Sequence, residues 1–190
     1  MTDLRHVLRI LPSFPAELSG FDPDDAPTDP LELFRAWLDD AIASGERQPH
    51  AMTFSTIDED GRPAHRTLIV KDIDERGIHV SSSLASRKAA HLAARPWAGM
   101  LFFWRELGRQ VEVGGHVEAL SREESEADWR ERPSYDGRDN PDWQVWALRP
   151  ERFEFLQATH DRNHARVEYV RDGVAWSHRP LRASEQVGPA

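Results

Sequence analysis

The chain has 190 residues and no cysteine, which excludes disulfides, thiolate metal sites and cysteine nucleophiles. This absence fits a reducing cytoplasm, and we expect a cytoplasmic protein. Basic residues are in the minority, with 24 Lys and Arg against 33 Asp and Glu and a formal net charge of -9. That balance argues against general binding to nucleic acids or to anionic membranes. The sequence also shows no apolar run of membrane-spanning length and no signal-peptide-like apolar segment.

Several motifs of common enzyme classes are missing as well. The sequence contains no P-loop, no Gly-x-Gly-x-x-Gly dinucleotide motif and no visible Ser-His-Asp arrangement. His160 and His164 have a spacing that a metal ion could use. With no third ligand nearby and no cysteine, we predict that they bind no metal.

The length favours one domain with a sizeable core. We predict a flexible N-terminal arm over residues 1–28, rich in proline and acids, and a tail over residues 184–190. The single domain would occupy residues 29–183. It begins with a helix, because Asp29 can be its N-cap, Pro30 suits its first position and Glu32 can complete a capping box.

The helical spacing of apolar residues supports this first helix, which we expect to end near Gly45. These residues are Phe34, Trp37, Leu38, Ala41 and Ile42. Shorter helices are predicted over 86–94 and 122–131, and a loop over 132–146. The predicted strands cover residues 51–57, 64–70, 78–82, 97–104, 109–120 and 151–157, the region around 167–169, and residues 175–179.

Short turns between these strands predict an antiparallel barrel of six to eight strands with peripheral helices. A doubly wound fold would need long helices between strands, and these are absent. Inside the long fifth strand, Gly114 and Gly115 predict a bulge or a sharp bend of the kind that barrels use at their corners.

Cations and hydroxyls concentrate in the stretch from Arg66 to Lys88, where two strands, a polar turn and a helix start follow one another. A helix start offers free N–H groups and the positive end of the helix dipole, and Arg and Lys both bind phosphate well. The pattern indicates a site for a phosphorylated cofactor. The alternative is a hairpin with a solvated, charged rim.

Taken together, the motifs of this chain resemble those of the pyridoxine/pyridoxamine 5'-phosphate oxidase family. The segments that carry the resemblance are Asp29–Leu38, Ala51–Pro63, Arg66–Lys71, Ser86–Lys88, Arg109–Val111, Arg130–Pro133, Arg162–Arg166 and Trp176–Arg179. The resemblance implies a mainly β, antiparallel FMN-binding split barrel with peripheral helices. It also implies a homodimer in which both subunits contribute to the site.

The family pattern assigns roles residue by residue. It implies FMN contacts for Arg66, Thr67, Leu68, Ile69, Val70, Lys71, Ser81, Ser82, Arg87, Lys88, Gln110 and Arg166. The phosphate of FMN would meet the cations at 66, 87 and 88, and a cation at 166 would approach the pyrimidine side of the flavin. The pattern implies substrate contacts for Lys71, Arg132, Arg162 and His164, of which the last two would be catalytic.

The chain departs from the family pattern mainly on the substrate side. Asp128 stands where the family has a tyrosine that contacts the substrate phosphate, and Asp136 stands where it has a serine. Two acids there would repel a phosphate. Leu156 replaces a tryptophan that flanks the flavin, and the segment between 133 and 150 is shortened. These departures put the vitamin B6 substrate in question more than the cofactor.

The resemblance therefore implies an FMN-dependent oxidase that oxidises an amine or alcohol carbon of a small molecule, with oxygen as the acceptor. A ring compound such as that of the phenazine-type oxidases is an alternative substrate. A flavin-binding carrier or sensor and a flavin reductase are alternative functions. Trp143 and Trp146, in the shortened segment, either pack in the core or close over the flavin or a flat substrate.

Overall fold

The computed structural model describes residues 3–181, in which nine strands form one antiparallel sheet accompanied by four α-helices. The strands are β1 (Ala51–Ile57), β2 (Pro63–Ile69), β3 (Asp72–Asp74), β4 (Gly77–Ser83), β5 (Trp97–Trp104), β6 (Arg109–Ala119), β7 (Trp143–Gln157), β8 (Ala165–Asp172) and β9 (Ala175–Pro180). The helices are α1 (Leu4–Ile10), α2 (Pro30–Ala43), α3 (Arg87–Ala94) and α4 (Arg122–Arg130). The predicted mainly β architecture with peripheral helices is confirmed.

The strands follow the order β2-β1-β5-β6-β7-β4-β3, and β8 and β9 extend the sheet from β7. Just after β2, the amide of Lys71 donates a hydrogen bond to the carbonyl of His79 in β4 at 2.8 Å, which brings the two ends of this order together. One edge of β7 is shared between two partners. Its first half, Trp143–Leu148, pairs with β4, and its second half, Arg152–Gln157, pairs with β8.

The register between β6 and β7 shifts between Gly114 and Gly115, which confirms the predicted bulge. At Gly115 a side chain would overlap the backbone carbonyl of Arg149, whereas the space at Gly114 is open apart from the ring of Trp97. The bulge therefore requires glycine at the second position, because two backbones approach each other there.

The core lies between α2 and the inner face of the sheet. Phe34 contacts the rings of Phe102 and Phe153, and Trp37 meets Phe155 edge to face with 5.3 Å between ring centres. The predicted apolar stripe of α2 is confirmed at 34, 37 and 41, but Ile42 is 58% exposed. As predicted, the helix ends just before Gly45, which has a φ of 77°.

Two local predictions are wrong. The loop predicted over 132–146 ends earlier, because β7 begins at Trp143 and its first half is held by hydrogen bonds to β4. Pro150, inside β7, sits opposite Gly115 at the bulge, where the missing N–H of proline is tolerated. The second is the capping box of α2: the Asp29 side chain accepts from the amide of Leu31, and no reciprocal contact from Glu32 is formed.

The predicted N-terminal arm contains α1 and a short 3-10 turn at Pro23–Asp25, and no residue of α1 is buried. The predicted tail over residues 184–190 lies outside the described residues. Within residues 3–181, no helix combines the length and the apolar character needed to cross a membrane.

Candidate functional site

Four of the predicted cofactor residues converge where β2, β4 and the start of α3 meet, and we call them the cation cluster: Arg66, Ser82, Arg87 and Lys88. The Lys88 ammonium donates to Ser82 Oγ at 2.7 Å. Burial and then the charge of Arg87 lower the pKa of Arg66, and burial and then the charge of Arg66 lower the pKa of Lys88. Among the described residues no carboxylate forms a salt bridge with these cations. The cluster therefore presents uncompensated positive charge, as an anion site does.

Sequence reasoning missed two residues that hold Arg66 in place. Its Nη1 donates to the carbonyl of Phe54 at 3.0 Å and to Oγ1 of Thr56 at 2.9 Å. The Thr56 hydroxyl in turn lies 2.9 Å from Nδ1 of His91. Because this hydroxyl already accepts from Arg66, its own hydrogen is free to be donated to the imidazole. The sequence offered a signal only for His91, which lies four residues after Arg87, since residues four apart share one face of a helix.

A cavity of about 550 Å³, which we call the Lys71 cavity, lies beside the C-terminal end of β2 and the middle of β4. Its walls combine backbone and apolar groups of β2 with polar groups of β4 and of the segment after α4. The lining residues include Thr67, Leu68, Ile69, Lys71, Ser81, Arg132, Ser134 and Trp143. The cavity therefore brings together five of the twelve predicted FMN contacts and two of the four predicted substrate contacts, Lys71 being in both groups, and its size is that of a small-molecule site.

Of the two acidic residues that depart from the family pattern, only Asp128 lies at this cavity. Asp128 lies against it, with Oδ1 at 3.4 Å from the Lys71 ammonium and Oδ2 accepting from the Trp143 indole at 2.7 Å. Asp136 instead accepts from the amide of Arg138 and is exposed to solvent. Trp143 contacts Trp129 and Arg132, so it forms part of the cavity wall.

The predicted catalytic residues lie in a turn between β7 and β8, which we call the His164 turn (Thr159–His164). The spacing of two between Arg162 and His164 predicts that they share one face of a strand end, but this prediction is wrong, because β8 begins only at Ala165. Asp161 closes the turn by accepting from the Thr159 hydroxyl at 2.6 Å and from the Asn163 amide at 3.0 Å. These local hydrogen bonds form in place of strand pairing, so the segment is a turn.

Arg162 has an unusual backbone conformation, and His164 has a lowered pKa. Arg162 has a φ of 63°, in the left-handed region that L-residues other than Asn and Asp rarely adopt. Burial first, and then the charges of Arg166 and Arg162, lower the pKa of His164. The edge of its ring also meets Phe14 of the N-terminal arm, with 5.6 Å between ring centres.

A row of side chains crosses β6, β7 and β8 near the end of β7. Gln110 of β6 stands opposite Leu156 of β7, and Leu156 stands opposite Arg166 of β8. The Gln110 amide donates to Glu112 at 3.0 Å, and Arg166 lies 3.6 Å from Glu154. The row thus aligns the two predicted flavin contacts, Gln110 and Arg166, with the position where the family has tryptophan.

Within one chain these groups do not form a single site. The cation cluster and the Lys71 cavity lie along β4, which pairs with the first half of β7, while His164 and Arg166 flank the second half through β8. The cleft beside His164 and Arg166 shares no lining residue with the Lys71 cavity. One subunit therefore does not bring the predicted catalytic residues to the cation cluster or to the Lys71 cavity.

One group of potential metal ligands lies elsewhere, at Asp72, Asp74 and His79. Asp74 already accepts from the Arg76 guanidinium at 2.7 Å and lies 2.9 Å from the His79 imidazole. These contacts give the group a structural role in joining β3 to β4.

Comparison with known proteins decides the family. The family model described as pyridoxamine 5'-phosphate oxidase matches residues 38–157, and the model of the C-terminal dimerisation region of pyridoxine 5'-phosphate oxidase matches residues 143–182. The chain belongs to the pyridoxamine 5'-phosphate oxidase family. A pyridoxine/pyridoxamine 5'-phosphate oxidase of Ectopseudomonas mendocina is 38% identical over 193 residues, covering 83% of this chain and 90% of the relative. One of Rubrobacter xylanophilus is 33% identical over 83% of this chain and 88% of its own length.

Two solved structures share the fold of this chain. PhzG from Burkholderia lata 383, in complex with tetrahydrophenazine-1-carboxylic acid, is 28% identical with a TM-score of 0.80 over 87% of this chain and 98% of its own. An FMN-binding, pyridoxamine 5'-phosphate oxidase-related protein of Nostoc punctiforme has a TM-score of 0.68 at 18% identity, which shows the shared fold, over 78% of this chain and 96% of its own.

The oxidase-family cofactor can be tested against the polar atoms of this chain. Among the described residues, the buried side-chain atoms without a hydrogen-bond partner are Ser81 Oγ and Arg166 Nε. Both belong to residues that the family pattern assigns to the flavin. Because buried polar groups are rarely left unpaired, these atoms and the cation cluster fit a ligand that carries phosphate and ring acceptors.

Proposed function

We propose that this protein is an FMN-dependent oxidase that acts on an amine or alcohol carbon of a small ring compound, with oxygen as electron acceptor. The observation that carries the proposal is the cation cluster, which forms no salt bridge within residues 3–181 and in which burial and then a neighbouring cation lower the pKa of Arg66 and of Lys88. An anion bound among them would relieve this repulsion. A cytoplasmic location, which the absence of cysteine favours, is part of the proposal.

The chain's own residues would bind and orient the cofactor. Arg66, Arg87 and Lys88 would hold its phosphate, and the β2 backbone together with Ser81 would lie beside its ring. Arg166, whose Nε is buried without a partner, would donate to a ring acceptor and stabilise negative charge there. FMN, when bound, supplies the redox chemistry.

We further propose a homodimer with a composite site, because one chain leaves its two groups of functional residues apart. The dimerisation region matched by the family model includes both halves of β7 and the whole of β8. In a two-fold dimer, the partner subunit's His164 and the partner subunit's Arg166 would face the Lys71 cavity. The symmetric arrangement would form two equivalent sites.

The His164 imidazole would position the reacting group of the substrate. Its Nδ1 accepts from the Thr159 amide at 3.1 Å, so the neutral ring carries its proton on Nε2. That proton is available for a hydrogen bond to an amine or hydroxyl of the substrate. The Arg162 guanidinium, exposed at the tip of the same turn, would add positive charge beside an anionic substrate.

Absorbance, cofactor release and turnover test the proposal in sequence. The purified protein should be yellow and release FMN on denaturation, and it should form peroxide with a member of an amine and alcohol panel. His164→Ala should keep FMN and lose most turnover, whereas the matched control His160→Ala, in the same turn but hydrogen-bonded to Ala16, should keep both. A protein that binds no added FMN contradicts the proposal. Full FMN binding without peroxide from any compound would indicate a carrier, a sensor or a reductase instead.

A further inference from the structure

The charge of Lys71 is already neutralised by this chain. Asp128 Oδ1 lies 3.4 Å from its ammonium, and the side chains of Lys71 and Asp128 are only 24% and 16% exposed. The second carboxylate oxygen accepts from the indole of Trp143 at 2.7 Å. Asp128 is therefore anchored from the other side and stays beside Lys71, where it removes one unit of positive charge from the cavity.

Arg132 supplies the remaining charge of the cavity wall. Its guanidinium lies 4.3 Å from the ring centre of Trp143 and 4.7 Å from that of Trp129. Within residues 3–181 it forms no salt bridge with a carboxylate, and it lines the cavity. The two rings thus hold a planar fork of donors toward the cavity, and such a fork matches the two oxygens of a carboxylate.

The charges at this end of the cavity sum to one positive unit, from Lys71, Arg132 and Asp128. A phosphate monoester carries about -1.5 to -2 at neutral pH, and a carboxylate carries one negative charge. We propose that the cavity takes a flat ring that carries a single carboxylate, and that Asp128 is the residue that discriminates against phosphorylated rings. The inference rests on the proposed function and names its substrate class.

Calorimetry on protein loaded with reduced FMN, in the absence of oxygen, tests this proposal by binding alone, because a reduced flavin cannot accept a hydride from the probe. The probes are 4-pyridoxate, which has a carboxylate and no phosphate, pyridoxine 5'-phosphate, and uncharged pyridoxine as the baseline. Wild-type protein should bind 4-pyridoxate at least tenfold more tightly than pyridoxine 5'-phosphate. Tighter binding of the phosphate by wild-type protein would overturn the proposal.

Two variants separate the role of Asp128 from general charge effects. Asp128→Asn keeps an oxygen that can accept from Trp143, so the wall should stay folded. We expect it to raise the affinity for pyridoxine 5'-phosphate by about tenfold, and by more than it raises that for 4-pyridoxate, because the phosphate carries more charge. Asp136→Asn, which removes a charge from an exposed residue of the following segment, should change neither affinity. An unchanged ratio of affinities in Asp128→Asn would overturn the proposal.

The carboxylate partner has its own test. Arg132→Gln should lower the affinity for 4-pyridoxate at least tenfold and leave that for pyridoxine unchanged, and equal binding of 4-pyridoxate to this variant and to wild type would count against the proposal. Flavin content is measured separately by absorbance. A failure to bind FMN would contradict the proposed function, while the calorimetric preference between the probes still decides the question of substrate charge.

Discussion

The backbone amide of Thr159 donates a hydrogen bond to Nδ1 of His164 over 3.1 Å. This contact requires an unprotonated Nδ1, and the lowered pKa of the imidazole agrees with it, since burial and the charges of Arg166 and Arg162 all disfavour the cation. The turn thus holds a neutral histidine with its remaining proton on Nε2. A group of this kind can donate a hydrogen bond to a substrate without adding charge.

We predict that His164 titrates below the ordinary histidine pKa of 6.5. The unfolded chain would take up this proton at a higher pH than the folded protein, so the contribution of His164 to stability falls as pH decreases below about 6.5. NMR titration of the ring resonances checks the pKa, and Arg162→Gln should raise it. A pKa of His164 at or above 6.5 would contradict the prediction.

We expect the backbone at Arg162 to be strained, and the strain to be kept because the side chain of Arg162 is needed for turnover. A left-handed conformation costs an L-residue about 1–2 kcal/mol, and glycine avoids this cost. The Arg162→Gly variant should therefore be more stable than Arg162→Ala, with a free energy of unfolding higher by about 1 kcal/mol. Both variants should lose turnover. Urea denaturation of the two variants gives the comparison. Equal stabilities would show that the turn relaxes without cost.

Lys88 should contribute to cofactor affinity through its charge. Hydrogen bonds to charged groups are worth about 1.5–3 kcal/mol, so Lys88→Met should weaken FMN binding by roughly tenfold to a hundredfold. Fluorescence titration of the apoprotein with FMN measures the effect. The control is Arg95→Gln, which removes one charge at the other end of α3, where Arg95 bonds to the carbonyl of Asp58. Similar losses in both variants would point to general electrostatics instead of a phosphate contact.

A composite site predicts complementation between two inactive variants. Arg66→Met/Lys88→Met removes the cation cluster, and His164→Ala removes the histidine. If each site draws these groups from different subunits, a mixed dimer regains one intact site. The mixed dimer should then have about half of wild-type activity. Co-expression with two affinity tags, followed by a peroxide assay of the doubly tagged dimer, measures this. Activity no higher than that of the parents would place both groups in one subunit.

The bulge offers a test of the fold itself. Gly115→Ala would push a methyl group into the carbonyl of Arg149, whereas Gly114→Ala meets only the ring of Trp97 at 4.0 Å. We expect Gly115→Ala to lower the free energy of unfolding by about 1–3 kcal/mol, as overpacking does, and Gly114→Ala to cost less. Thermal or urea denaturation of the matched pair decides. Equal effects would mean that β6 and β7 can separate locally at the bulge.

Much of the fold could be predicted from local patterns. The N-cap at Asp29, the glycine stop at 45 and the paired glycines at 114 and 115 act through backbone conformation, which the nearest residues decide. The start of β7 could not be predicted in this way. Its hydrogen bonds go to β4, about sixty residues away in the chain, and pairing across that distance leaves no local signal.

For the candidate site, too, some features could be predicted from the sequence and others depended on the tertiary structure. The order and spacing of the motifs predicted the family, which the comparisons confirm, and the resemblance implied which residues would meet FMN. Only the tertiary structure decided that Asp128 neutralises Lys71 while Asp136 faces solvent, because the pairing of charges depends on distances between α4 and β2. It also decided that His164 lies in a closed turn, half a strand of β7 away from the Lys71 cavity. The sequence determined which groups the chain carries, and the packing of the sheet determined which of them act on one another, because electrostatic and hydrogen-bond energies depend on separation in space and not along the chain.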